Sequence, residues 1–130
     1  MVRLLTFLLF PTWLWVLPLA APTHMLIDVR PAVKARLIAT QSRFEKCSKW
    51  NNPGCLKFAR QPGAVRLPNG YARFSSLDNG YSALSVWWDR HGCRPVEKAL
   101  RRYNPQREDY AAVILASAQV RGDEVLGLCR

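Results

Sequence analysis

The N-terminal run Met1 to Ala21, MVRLLTFLLFPTWLWVLPLAA, constrains this chain more than any other feature. Arg3 gives it a short positive start, Leu4 to Leu17 is almost wholly apolar, and Ala20 and Ala21 offer small side chains for cleavage. That order is the pattern of a secretory signal peptide. Pro11 and Pro18 interrupt the run, which sits at the short edge of the roughly 20 residues a membrane span needs. An uncleaved signal anchor is the alternative. The expected location is therefore exported, periplasmic or secreted. Residues 22–130 are left for folding, about 109 of the 130, which is one domain. A domain that small buries only about two thirds of its unfolded surface and gains little margin from its core alone.

The cysteines supply a remedy. Cys47, Cys55, Cys93 and Cys129 all lie beyond the leader. An even number in a small exported domain reads as two disulfides. Three pairings are open. Tight loop closure favours Cys47–Cys55, with Cys93–Cys129 tying the end of the chain to its middle. Zinc fits poorly, because there is no CxxC and the histidines are His24 and His91 alone. No metal and no cofactor is expected.

Charge narrows the partner. The chain carries 19 Lys plus Arg against 9 Asp plus Glu. Loss of Arg3 with the leader leaves a net charge of +9. Such a field concentrates a protein near polyanions. For an exported protein the candidates are peptidoglycan or another anionic cell-wall polymer, membrane headgroups and extracellular nucleic acid, and the cell wall is the partner expected. The basic residues are scattered, with one cluster at Lys98, Arg101 and Arg102, so no specific nucleic-acid reader is expected. Membrane contact is expected through the N-terminal segment only, and the protein as a monomer. With 49% hydrophobic and 22% charged residues, a disordered polyelectrolyte is excluded.

Local patterns predict an α+β chain, mainly helical, with one short hairpin. Val33, Leu37, Phe44 and Cys47 repeat at helical spacing over Pro31 to Cys47, and Asn52-Pro53-Gly54 stops the run. Leu56-Lys57-Phe58 and Tyr71 to Phe74 alternate and read as the two strands, with Ala59 to Leu67 as a loop. Ser75 or Ser76 caps a second helix that Gly92 ends, with Tyr81, Leu84, Trp87 or Trp88, and His91 on its apolar face. Pro95 to Tyr103 and Glu108 to Arg121 are the third and fourth helices, and Asp123 caps a last turn through Leu126.

Glu45 is the residue that best suits chemistry. It follows Ile38 and Gln41 on one stripe, close to Phe44 and Trp50. A carboxyl beside aromatic groups is desolvated, and desolvation raises its pKa toward that of a general acid for glycoside cleavage. The bland alternative is a solvated helix residue paired with Arg43, Lys46 or Lys49. Trp50, Asn51 and Asn52 come next: amides hydrogen-bond hydroxyl and N-acetyl groups, and an aromatic face stacks on a sugar ring. The alternative there is a tight loop pinned by Cys47 and Cys55. The other aromatics read mainly as core, with Tyr71 or Tyr103 facing a groove.

Several boxes occur in order. They are Asn51-Asn52-Pro53-Gly54-Cys55-Leu56, Gly70-Tyr71-Ala72-Arg73-Phe74, Leu77-Asp78-Asn79-Gly80-Tyr81-Ser82-Ala83-Leu84, Arg102-Tyr103-Asn104-Pro105 and Asp109-Tyr110. Together, over about Ala39 to Leu126, they resemble a family of small lysozyme-like domains found in phage virion proteins and exported bacterial proteins. That family's pattern runs NNPGN(I/L), GFAxF, SPExGxRAL and RYAPP, then a tyrosine that opens the last helix. The resemblance implies a lysozyme-like fold and peptidoglycan cleavage of the muramidase or lytic transglycosylase type. Glu45 would be the general acid, and Gln41, Trp50, Asn51, Asn52, Tyr71 and Tyr103 would bind substrate. It equally accommodates a non-catalytic peptidoglycan-binding or virion-structural module. Ser42 competes with Glu45 for the position of the family's acid. Cys55 stands where the family prefers Asn, and Asn104-Pro105-Gln106 stands in place of APP.

Overall fold

The computed structural model describes residues 28–127. The signal segment and Cys129 lie outside them. Within them the chain is α+β, with four helices and a two-stranded antiparallel hairpin.

Helix α1 spans Arg30–Phe44, with a proline in its first turn and Val33, Leu37, Thr40 and Gln41 turned inward. It stops earlier than the expected Cys47. Glu45 still donates its N–H to the Gln41 carbonyl at 2.8 Å, but its backbone is extended, with ψ 140°. Glu45 is thus the residue that caps the helix. Cys47 begins a separate 3-10 turn, Ser48–Trp50. The Cys47–Cys55 disulfide closes this turn and the Asn-Pro-Gly turn into one loop, with Cα atoms 5.2 Å apart. Asn51 takes the left-handed conformation there, φ 52°, which asparagine tolerates better than most residues. Among the described residues this is the disulfide observed, where two were expected; the proposed partner of Cys93 is the undescribed Cys129.

The hairpin differs from expectation. Strand β1 is Ala64–Arg66 and β2 is Ala72–Phe74, with Ala64 opposite Phe74 and Arg66 opposite Ala72. The segment expected to be a loop therefore supplies a strand. The turn chemistry explains why. Leu67-Pro68-Asn69-Gly70 closes with the Gly70 N–H on the Leu67 carbonyl at 2.9 Å, and Gly70 has φ +85°. So tight a turn pairs β2 with the run immediately before it. Leu56 to Phe58 lies along the other edge of the same strand, through a single bridge between Lys57 and Tyr71.

Helix α2 spans Leu77–His91 and starts where Ser76 accepts a hydrogen bond from the Asn79 N–H at 3.1 Å. Its core face is Gly80, Ala83, Leu84 and Trp88, with Trp87 half-buried against the core and Tyr81 exposed. Gly80 is required by packing. A Cβ there would collide with the Asn51 carbonyl oxygen and the Pro53 ring, so the Asn-Pro turn lies directly on the helix backbone. Helix α3 spans Val96–Tyr103, with Pro95 just before it. Helix α4 spans Tyr110–Ala118, shorter at both ends than expected, because Gln119 turns left-handed and the Val120 N–H folds back to the Leu115 carbonyl. No helix follows Asp123: Val125 bridges Pro95, and the Leu126 N–H reaches the Gly92 carbonyl at 2.8 Å.

One core holds these elements together, built around Leu37, Phe74, Leu84, Trp88, Leu100 and Ile114. Helix α4 packs on both α1 and α3, and α1 packs on α2. Among the described residues no helix is long and apolar enough to cross a membrane.

Candidate active-site groove

A groove of about 710 Å³ opens beside Glu45. Four segments form it: the chain from Cys55 onward, Tyr71 just before β2, one face of α2, and the end of α3 with the residues just beyond it. From α2 come Asn79, Ser82, Ala83, Val86, Trp87, Arg90 and His91. These recur at three- and four-residue steps, so one helical stripe runs the length of the groove, roughly 18 Å at 1.5 Å per residue.

The carboxyl of Glu45 is half-buried and is held from inside the fold. Trp88 donates its indole N–H to Gln41 Oε1 at 2.7 Å. The Gln41 amide donates to Tyr110 Oη at 3.3 Å, and the Tyr110 hydroxyl donates to Glu45 Oε1 at 2.7 Å. Gln41, Trp88 and Tyr110 are all buried. The relay joins α2, α1 and α4 and ends on one carboxylate oxygen. No buried side-chain nitrogen or oxygen among the described residues lacks a partner.

Three influences set the proton affinity of Glu45. Burial is the largest and raises its pKa above the ordinary 4.5; the Tyr110 hydrogen bond and the Arg107 guanidinium work the other way. Burial also pushes the hydroxyls of Tyr103 and Tyr110 up, with Glu45 adding to both shifts. Both tyrosines are therefore neutral donors at physiological pH. Tyr103 donates to the Gly54 carbonyl, which ties α3 to the Asn-Pro-Gly loop. Its ring stacks on Tyr110 at 6.0 Å and meets Trp87 edge-on at 4.6 Å.

Tyr110→Phe removes the hydroxyl that favours the carboxylate. The pKa of Glu45 is expected to rise further, because that hydrogen bond works against the raising effect of burial; a carbon-13 carboxyl titration by NMR reads the change. The Gln41 amide loses its acceptor as well, at about 1–2 kcal/mol of stability.

Of the residues singled out from sequence, Glu45, Tyr71 and Tyr103 meet in the groove. The others stand elsewhere. Gln41 has no exposed surface and is spent on Trp88 and Tyr110. Asn52 is also fully buried, and its amide bonds Leu56 and Ala72. Asn51 donates to the Phe74 carbonyl at 3.1 Å. Trp50 lies outside the groove lining and stacks on Tyr71 at 5.9 Å. Lys49 covers the Trp50 ring and Lys57 the Tyr71 ring. Ser42 turns its hydroxyl back to the Ala39 carbonyl and is not in the groove.

Sequence reasoning missed Lys57, Arg60, Gln61, Arg90, Arg102 and Asn104, all of which line the groove. For Arg90 the stripe on α2 was the available signal; the other five lie on other segments. Polar and aromatic residues repeat along α2 at helical spacing beside the apolar core face.

Among the described residues no group of three His, Cys, Asp or Glu side chains is placed to hold a metal ion. Glu45 is the one acid among the residues lining the groove. No family model, no curated protein and no solved structure matches this chain.

Proposed function

We propose that this protein is an exported, peptidoglycan-active domain that cleaves the glycan strand, with Glu45 as general acid. The observation that carries the reading is a half-buried carboxyl, raised in pKa by desolvation, beside a groove otherwise lined by amide, hydroxyl, aromatic and basic side chains. Desolvation favours the protonated form, which is the form a general acid needs. Glu45 passes it to the oxygen linking the two amino sugars as the bond from that oxygen to the anomeric carbon breaks.

The groove offers no second carboxylate to complete the reaction. The incoming group is then a hydroxyl of the sugar itself or a water molecule. Ionised Glu45 takes the proton from whichever attacks. Attack by the sugar's own hydroxyl leaves an anhydro end; attack by water leaves a reducing end. Tyr71, Trp87 and Tyr103 supply aromatic surface, and Asn79, Gln61 and Asn104 supply amides for hydroxyl and N-acetyl groups.

The test incubates the oxidised protein with purified peptidoglycan and reads soluble muropeptides by mass. Release of fragments supports the reading, and their ends assign hydrolysis or transglycosylation. A second reading is a non-catalytic peptidoglycan-binding or virion-structural module on the same scaffold. It is favoured by the Tyr110 hydrogen bond and the Arg107 charge, both of which stabilise Glu45 in its ionised form. That module would sediment with the wall and release nothing.

A further inference from the structure

Four cations line the groove: Lys57, Arg60, Arg90 and Arg102. They come from three separate segments: the chain after the disulfide loop, the last turn of α2 and the last turn of α3. None of the four forms an ion pair among the described residues. Among the described residues the ion pairs engage Arg30, Lys34, Arg101, Arg107 and Arg121 instead, all away from the groove lining. The Lys57 ammonium lies over the Tyr71 ring. Against these four charges the groove sets one carboxyl, Glu45, whose burial favours its neutral form.

Gathering like charges in one concave, partly apolar groove is unfavourable for the empty protein, and an anionic ligand reverses the sign of that energy. Interspersed among the cations are Gln61, Asn79, Ser82 and Asn104 and the rings of Tyr71 and Trp87. Hydroxyls, amides and flat aromatic surface suit a sugar chain.

We propose that the groove selects glycan strands bearing free carboxylates, held by Lys57, Arg60, Arg90 and Arg102, over neutral strands of equal length. This rests on the glycan reading above and adds to it a substrate class, an acid-substituted strand. The charge requirement sits in the groove itself. The net charge of the whole surface does not substitute for it.

The test uses the full oxidised protein carrying Glu45→Gln, so that binding is read without turnover. Three probes are titrated calorimetrically: a soluble muropeptide oligomer with its stem-peptide carboxylates free, the same oligomer with those carboxylates converted to amides, and a neutral chito-oligosaccharide of equal sugar count. The free-carboxylate probe is expected to bind at least about tenfold more tightly than either neutral probe. Its affinity should fall as salt is raised. Arg60→Gln, Arg90→Gln and Arg102→Gln are surface changes that leave the core intact, and each should weaken that probe by about two- to fivefold while leaving the amidated one unchanged.

Equal binding of the free and amidated oligomers overturns the proposal and leaves the glycan reading standing. Binding of none of the three overturns both. Tight binding of single-stranded DNA that the muropeptide cannot displace also overturns both, and marks the groove as a nucleic-acid channel.

Discussion

Glu45→Gln is expected to reduce muropeptide release by at least about a hundredfold while leaving the fold intact. Glutamine has the shape of glutamic acid, and its carbonyl oxygen can still accept the Tyr110 hydroxyl that now reaches Glu45 Oε1 at 2.7 Å. What it lacks is a proton to give. The same substitution has a signature in stability. Burial raises the folded-state pKa of Glu45 above its ordinary 4.5, so the folded protein holds this proton more firmly than the unfolded chain does. The resulting contribution is fully present below 4.5 and is lost as pH rises through the folded-state value. The Gln variant has no such term. Wild type should therefore lose stability relative to Glu45→Gln as pH is raised across that interval, read as a widening gap in Tm favouring the variant. Parallel Tm curves would mean that the carboxyl is not desolvated in solution, and the acid role would lose its footing. For an active enzyme, the alkaline limb of kcat/KM against pH should follow the same group.

Much of the scaffold was legible because its signals are short-range. Ser76 caps α2 and Pro95 precedes α3. Each is decided by a few adjacent residues. The misplaced strand has the opposite cause. Ala64-Val65-Arg66 carries no alternation that marks it, and its pairing is imposed by the Leu67 to Gly70 turn. The end of α1 fails for a tertiary reason. Glu45 leaves the helix while its side chain bonds Tyr110 on α4, a partner 65 residues away that no local pattern announces.

The site divides in the same way. Glu45 stands out in one dimension as an acid near Phe44 and Trp50, but the aromatic residue that bonds it in the structure is Tyr110 from α4. The amides of Gln41, Asn51 and Asn52 were read as ligand-binding because amides recognise sugars. Amides also satisfy buried groups: Asn51 and Asn52 stand in for missing backbone partners, and Gln41 joins the Trp88 and Tyr110 side chains. The cations illustrate the converse. Lys57, Arg60, Arg90 and Arg102 look scattered along the chain, and only the packing of three segments makes them neighbours of one groove. Charge counted along the sequence gives the sign of the field and says nothing about where it is focused.

Asn52→Ala should be among the most destabilising single changes in the described chain, at roughly 3–4 kcal/mol. Asn52 has no exposed surface, and its side chain does the work of a missing strand. Its Oδ1 accepts the Leu56 N–H at 2.8 Å, and its amide donates to the carbonyls of Leu56 and Ala72, both at 2.9 Å. Alanine leaves the Leu56 N–H without its acceptor, strips a donor from two buried carbonyls and opens a void. Leu56 and Ala72 both belong to the core, so water cannot reach these groups without disturbing it. Asn51→Ala is the contrast. It removes one bond, to the Phe74 carbonyl, at a half-buried position and puts alanine in the left-handed region, and should cost about 2 kcal/mol in all. Denaturant titration of both oxidised variants reads the difference as a larger drop in midpoint for Asn52→Ala at unchanged slope. Equal losses would mean that the loop relaxes around the smaller side chain and that the Cys47–Cys55 disulfide, not the amide, holds Leu56 against β2. A large loss confined to Asn52 also reaches the groove. Tyr71 immediately precedes Ala72, and the bonds that fix this strand edge also fix the aromatic wall beside Lys57.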